Sequence, residues 1–244
     1  TSDKDERVVK WVVHRRSRED EWRVGVKKSS RRGVEGRAVS ESSCGDAGGV
    51  DGGSVTITST EGRRTLEAKV SGLAIQNKAN VTVWKISVAS KYYGMLDGTL
   101  YDGRAVQIVN STAVFENVDA ATTADVAEHT AVGWVIFDSK VTIKKSNISI
   151  RYKRAEELAE NDNLQGYAVY ASNSDVSITG TKITSSGDEI AYGVIFYGGM
   201  SMSDAAAEGA TEKNKTLTVD SSTITANAFA ISGNGSNGAE YPYS

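Results

Sequence analysis

After residue 53 the chain reads as an all-β solenoid, a right-handed parallel β-helix with irregular loop insertions, preceded by a less regular N-terminal segment. Three observations predict it: an apolar frame repeated at fixed spacing, a body free of proline, and polar dipeptides that recur at one position of the repeat. The frame is apolar, any residue, apolar, four spacers, apolar. It fits Val141/Ile143/Ile148, Val176/Ile178/Ile183 and Leu217/Val219/Ile224 with identical spacing. Val81/Val83/Val88 fits too, and Ala68/Val70/Ile75 and Ala113/Phe115/Ala120 fit more weakly.

A second element precedes the frame by seven residues at Val106/Ile108, Trp134/Ile136 and Val169/Ala171. Val194/Phe196 reads as another copy, pushed away from Leu217 by the small and polar insert Gly199 to Asn214. Each unit is therefore a strand, a polar corner, a second strand, a turn and a third short strand. Alternation with period two places Val141 and Ile143 on one face and Thr142 on the other. One unit cannot bury its apolar side alone, so units must stack, each strand pairing in parallel with its equivalent about 4.8 Å away. Val141, Val176 and Leu217 then form one interior file, and Ile148, Ile183 and Ile224 another. Burying each aliphatic side chain contributes roughly 1.5 to 3 kcal/mol against the cost of ordering the chain.

Asn110-Ser111, Asp138-Ser139 and Asn173-Ser174 mark the corner between the first two strands. Short polar side chains bond the local backbone there and tolerate tight bends. Ser186-Gly187-Asp188 and Gly233 to Gly238 read as looser turns, and Arg154 to Asn161 as a short helical excursion or a solvated loop. The only proline, Pro242, lies near the last residue, so no ladder has to accommodate a missing N–H. Repeat spacing varies between 28 and 41 residues from Val83 onward, so loops of variable length must leave the coil. Only 13 residues separate Val70 from Val83, too few for a full winding.

Residues 1–53 form a basic N-terminal segment ending in a Ser/Gly linker, and 54–244 the β-helix domain. The first 50 residues hold 12 Lys and Arg against 9 Asp and Glu; the whole chain holds 28 against 31, leaving 16 against 22 for the remainder. Val8, Val9, Trp11, Val12 and Val13, followed by Arg15, Arg16 and Arg18, make an amphipathic stretch suited to cap the first winding; the alternative is a disordered segment. Interspersed acids weaken its field, so no nucleic-acid partner is expected. No apolar run approaches the roughly 20 residues of a membrane span, and none is expected. Neither does the segment carry the 7 to 15 residue apolar core of a signal peptide.

Cys44 is the sole cysteine, which rules out an intrachain disulfide, and His14 and His129 have no second soft ligand nearby, so neither metal nor other cofactor is expected. A polysaccharide lyase of this shape would need clustered carboxylates and a base, and a glycoside hydrolase two carboxyl groups beside a cleft. Asp97, Asp102 and Arg104 form one such grouping, and Asp138 and Asp175, near equivalent corners one coil apart, another; the alternative reading of both is solvated turns. A Gly-rich phosphate loop and a serine nucleophile elbow are both missing from the sequence. Four Asn-x-Ser/Thr sequons begin at Asn80, Asn110, Asn147 and Asn214, where they serve as turn and strand vocabulary.

Aromatic residues make the stronger case for a ligand surface. Tyr92, Tyr93, Tyr101, Tyr167, Tyr170, Tyr192 and Tyr197 could line a stripe on which sugar rings stack, or could simply brace neighbouring coils. Thr142, Thr216, Thr218, Thr223 and Thr225 raise the further prospect of a flat ice-binding face, against which the irregular insertions argue.

The stretch from Gly166 to Gly198 and the KTLTVDSSTITANAFAISGNGSNG run from Lys215 to Gly238 resemble the repeats of bacterial adhesin-like surface proteins with pectin-lyase-type β-helices. The likeness is one of repeat style, spans roughly residues 55 to 238 and includes no catalytic motif; the polygalacturonase signatures are absent. It implies secretion or display at a bacterial cell surface, non-catalytic attachment to host or matrix glycans or proteins, and further coils of the same parent protein. A carbohydrate-active β-helix enzyme is the alternative. For the ligand surface the reading selects Tyr92, Tyr93, Tyr101, Tyr170, Tyr197, Asp97 and Asp102, with no catalytic residue assigned.

Overall fold

The computed structural model describes residues 11–15, 22–26, 48–59, 64–68, 71–91, 93–96, 99–127, 131–154, 165–198 and 215–234. Almost all of them are strands of three parallel sheets that the chain visits in rotation. The first sheet stacks Gly49–Asp51, Ser71–Gln76, Arg104–Val109, Ala131–Phe137, Gln165–Ser172, Ile190–Tyr197 and Phe229–Asn234. A second is built from Ser54–Thr58, Asn80–Trp84, Thr112–Glu116, Lys140–Lys144, Asp175–Thr179 and Leu217–Asp220. The third takes Arg64–Ala68, Ile86–Ser90, Asp119–Ala127, Asn147–Arg154, Lys182–Gly187 and Thr223–Thr225. Six windings and the first strand of a seventh make a right-handed parallel β-helix. The loop insertions include an antiparallel hairpin, Tyr93–Leu96 with Thr99–Asp102, that leaves the coil after the second winding.

The interior files lie as the repeat dictates. Val141 pairs with Val176 and Val176 with Leu217, while Ile148 pairs with Ile183 and Ile183 with Ile224. All but the last member of each file are buried, and Phe115 and Trp134 meet edge to face at 4.7 Å in the same core. The weak frame Ala68/Val70/Ile75 is corrected. Ile75 lies in the first sheet opposite Ile108, and the first winding is instead formed by Val55, Ile57 and Leu66, opposite Val81, Val83 and Val88. The segment between Ile57 and Leu66 is longer than the four spacers of the frame.

The corner from the first sheet to the second and that from the second to the third are built from one device. At the first, Asn110, Asp138 and Asn173 adopt the left-handed conformation, with φ of 46°, 50° and 45°. This is a conformation that Asn and Asp tolerate better than other residues with a Cβ. The serine that follows each turns its hydroxyl back to the carbonyl two residues earlier, as Ser111 does to Val109 at 2.9 Å. The same oxygen accepts the backbone N–H of the preceding winding: Ala79 N–H donates to Ser111, Ser111 N–H to Ser139 and Ser139 N–H to Ser174, at 3.2, 3.0 and 3.0 Å. At the second corner, Val118 N–H donates to Ser146, Ser146 N–H to Thr181 and Thr181 N–H to Ser222, at 3.1, 3.3 and 3.1 Å. Buried corner amides are thus satisfied by the next winding, as buried donors must be.

Residues 11–15 and 22–26 pair as an antiparallel hairpin, Trp11 opposite Val26. Val8 and Val9 of the expected cap lie outside the described residues, as does most of the 154–161 excursion. Gly49–Asp51, inside the stretch read as linker, is already a strand of the first sheet, bonded beside Ala74, Ile75 and Gln76. Ser186 and Gly187 belong to the strand Lys182–Gly187, and Gly233 to Phe229–Asn234, so neither turn starts where expected. Among the described residues no helix is long and apolar enough to cross a membrane.

Candidate functional site

The first sheet departs from simple alternation. In every winding from the second to the sixth, two successive residues point inward: Gly72 and Leu73, Ala105 and Val106, Gly133 and Trp134, Ala168 and Val169, Gly193 and Val194. The first of each couple drops out of the strand pairing, which resumes one residue later. Only small residues fit there. A Cβ on Gly133 would stand 2.7 Å from the carbonyl oxygen of Ala168, and one on Gly193 2.5 Å from that of Ala230. Such contact with backbone leaves no room for a side chain.

This shared kink has a chemical consequence on the outer face. In a regular strand, residues three apart point to opposite sides; across the kink they point to the same side. Arg104 and Gln107 demonstrate it, the guanidinium donating to the Gln107 carbonyl oxygen at 3.1 Å. Two windings on, the equivalent couple is Tyr167 and Tyr170, with ring centroids 5.9 Å apart. From this couple the contact spreads along the solenoid axis: Tyr167 to Tyr192 at 5.3 Å, Tyr192 to Phe229 at 5.5 Å, Tyr170 to Tyr197 at 5.6 Å and Tyr170 to Phe137 at 5.7 Å. Six half-buried rings from four windings form one connected surface, with the outward aliphatics Val135 and Ile195 packed among them in register with Tyr170.

The strand that carries Tyr167 and Tyr170 is held from the side by Tyr152, at the border of the first and third sheets. Its ring occupies the space that a Cβ on Gly166 or Gly187 would need, and its hydroxyl donates to the Ile190 carbonyl at 2.7 Å. Burial, with the nearby Glu189 and Asp188 carboxylates adding to it, pushes the Tyr152 hydroxyl up to about 12. Beside it Arg154 forms an ion pair with Glu189.

The remaining expectations divide. Tyr170 and Tyr197 stand on the aromatic surface together with Tyr167 and Tyr192. Contact between rings of adjacent windings means that they also brace the coils. Tyr93, Tyr101 and Asp102 lie on the hairpin strands, Tyr101 opposite Gly94 and Asp102 opposite Tyr93, and Tyr92 and Asp97 lie outside the described residues. Asp138 and Asp175 do not stack. Asp138 accepts from Asn173 Nδ2 at 2.6 Å and occupies the corner file, whereas Asp175 lies opposite Lys140 and accepts from Thr216 N–H at 3.2 Å. The threonines are divided too: Thr142 and Thr218 flank Ser177 in one outward file of the second sheet, but Thr223 and Thr225 belong to the third. Lys140, Asp175, Lys144 and Asp220 border that file, so it is not a flat uncharged plane. Among the described residues no three His, Cys, Asp or Glu side chains gather to hold a metal ion.

Compared with protein families, curated proteins and solved structures, the chain matches none. The functional argument therefore rests on the kinked face itself. Phe137 and Phe229 were not anticipated as part of it. The sequence does carry their signal: Phe137 alternates with the inward Trp134 and Ile136, and Phe229 precedes a small residue that stands before an inward apolar one, as in Gly72-Leu73, Ala105-Val106, Gly133-Trp134, Ala168-Val169, Gly193-Val194 and Ala230-Ile231. A residue one before or two after the small one then faces outward, as Phe229 and Ile195 do.

Proposed function

We propose that this chain is a non-catalytic, secreted or cell-surface β-helix of the bacterial adhesin-like kind, whose first sheet binds a neutral glycan on its kinked outer face. The observation that carries the reading is the connected surface of six rings, four of them tyrosines. Tyrosine offers an apolar face for the C–H side of a sugar and a hydroxyl for its polar edge. Contact between windings fixes the rings before any ligand arrives, which lowers the ordering cost of binding. The surface extends along the solenoid axis, a geometry suited to a chain of sugars lying across successive windings. The net negative charge of residues 51–244, 16 cations against 22 anions, disfavours a polyanionic ligand. Resemblance of the repeats to adhesin-like surface proteins supports display outside the cell.

A glycan array with the whole chain, run beside a polysaccharide-degradation assay, tests this reading. Binding without turnover is expected, and Tyr170→Ala should weaken it about tenfold, equivalent to roughly 1.4 kcal/mol. Turnover of any polyuronide would favour the lyase or hydrolase reading instead, and binding indifferent to Tyr170→Ala and Tyr192→Ala would place the ligand elsewhere.

A further inference from the structure

Four tyrosines of the first sheet stand in an unbroken chain of ring contacts. Tyr192 meets Tyr167 at 5.3 Å, Tyr167 meets Tyr170 at 5.9 Å and Tyr170 meets Tyr197 at 5.6 Å, with ring planes inclined by 49°, 45° and 48°. Tyr167 and Tyr192 are direct partners in the parallel ladder, so their backbones lie about 4.8 Å apart and both side chains leave the sheet on the same side. All four rings are half-buried and keep an edge in solvent. Phe229 borders this chain of phenols at Tyr192 and Phe137 borders it at Tyr170, and neither carries a hydroxyl. Tyr152, behind the same strands, is buried, and its ring fills the space beside Gly166 and Gly187.

We infer that this group is a site of oxidative cross-linking, at which Tyr167 and Tyr192 are joined as dityrosine, with Tyr170 and Tyr197 as the lesser pair. A one-electron oxidant of the peroxidase class, with hydrogen peroxide as the final acceptor, takes an electron and the hydroxyl proton from each of two phenols. The two phenoxyl radicals couple through ring carbons ortho to their oxygens, forming one C–C bond. The hydrogen on each coupled carbon then moves to the oxygen as the ring regains aromaticity. Two electrons and two protons leave in all, and they reduce one hydrogen peroxide to two waters. A radical formed on any of the four phenols passes to its neighbours through the ring contacts, while the bordering phenylalanines, with no hydroxyl proton to release, hold it within the group. Tyr167 and Tyr192 are the closest pair and already in register, so side-chain torsion brings their ring carbons together while the ladder stays paired. Cys44 is the sole cysteine, so no disulfide can tie one winding to another. A Tyr167–Tyr192 bond ties the fifth winding to the sixth and restricts the unfolded chain as a disulfide would. This chemistry does not depend on what the aromatic surface binds.

Treatment of the whole chain, at low concentration, with a haem peroxidase and hydrogen peroxide tests this inference. The readouts are the blue emission of dityrosine, gel mobility in denaturant and mass spectrometry of the digested protein. A single-chain product is expected, with a cross-linked peptide pair, two hydrogens lighter than its parts, that joins Tyr167 to Tyr192. Tyr192→Phe keeps the ring and its packing, and should abolish that link and lower the emission by at least half. Tyr192→Phe combined with Tyr197→Phe should lower it at least tenfold. In urea, where the windings are lost, the preference for Tyr167 with Tyr192 should vanish. Absence of dityrosine, links formed only between chains, a principal link other than Tyr167 to Tyr192, or the same preference in urea as in the native protein would each overturn the inference. Should a variant fail to fold, the link mapped in the unaltered chain decides the matter by the same criteria.

Discussion

The outer faces of the first and second sheets are made by the same winding rule yet present different chemistry. Both keep aliphatic residues inward and stack equivalent positions in register. The second sheet alternates strictly, and its middle outward file is Thr56, Thr82, Val114, Thr142, Ser177 and Thr218, bordered by charges. The first sheet breaks alternation once per winding, and that break turns two outward positions per strand toward each other. A repeat gives this protein its body, and a regular departure from the repeat gives it a connected aromatic surface.

The contrast can be attacked from its support inward. Tyr152→Ala removes the wedge beside the strand of Tyr167 and Tyr170 and should cost about 3–5 kcal/mol, the range for a large buried ring. Urea unfolding reads the loss, and near-UV circular dichroism should report the tyrosine surface loosening. A pH series isolates the hydroxyl. Because burial holds it protonated up to about 12 instead of 10, the unfolded chain ionises first. The stabilisation is complete below pH 10 and is lost as pH rises through 12, by roughly 2–3 kcal/mol at about 1.4 kcal/mol per unit. Tyr152→Phe should lack that component, so the stability difference between the two proteins narrows across the window; a constant difference would contradict the assigned burial.

Smaller effects separate the faces themselves. Gly133→Val forces a side chain against the Ala168 carbonyl and should cost about 1–3 kcal/mol by overpacking, with glycan binding lost alongside. At the corner, Ser139→Ala strips the acceptor from Ser111 N–H and should cost about 1–2 kcal/mol, the penalty for one buried amide left unsatisfied. Thr142→Ala on the flat face should change stability by less than about 0.5 kcal/mol. If the flat face proves the more sensitive of the two, the distinction drawn between them fails.

The architecture was legible because burial leaves a periodic trace. Val141, Val176 and Leu217 announce their file by spacing alone, and Asn110-Ser111, Asp138-Ser139 and Asn173-Ser174 announce the corner. The first winding escaped because more residues separate Ile57 from Leu66, so a rigid frame selected Ala68 and Ile75, residues of two different sheets. Half of the aromatic surface was legible in the same way, since Tyr170 alternates against Val169 and Ala171. Phe137 follows the inward Ile136 and obeys the same alternation, whereas Phe229 escapes it because a period-two reading cannot bring residues three apart to one side. The kink that does so depends on the closeness of backbones in successive windings, a property of the stack that no single segment displays.

The hydroxyl files at the two corners give the molecule a mechanical polarity. Each amide of these hydroxyl files finds its acceptor on the winding that follows it, while the amide one residue on, such as Thr112 N–H to the Ala79 carbonyl, bonds back to the winding before, and pulling on the C-terminal end would peel the stack one turn at a time. Every turn removed would strip acceptors from the turn before it. Resistance to such unzipping should therefore rise and fall in a sawtooth whose teeth are single windings. A tether placed at the opposite end would instead strip backbone acceptors from the next turn, such as the Ala79 carbonyl from Thr112 N–H, and leave that turn's hydroxyls without their amide donors.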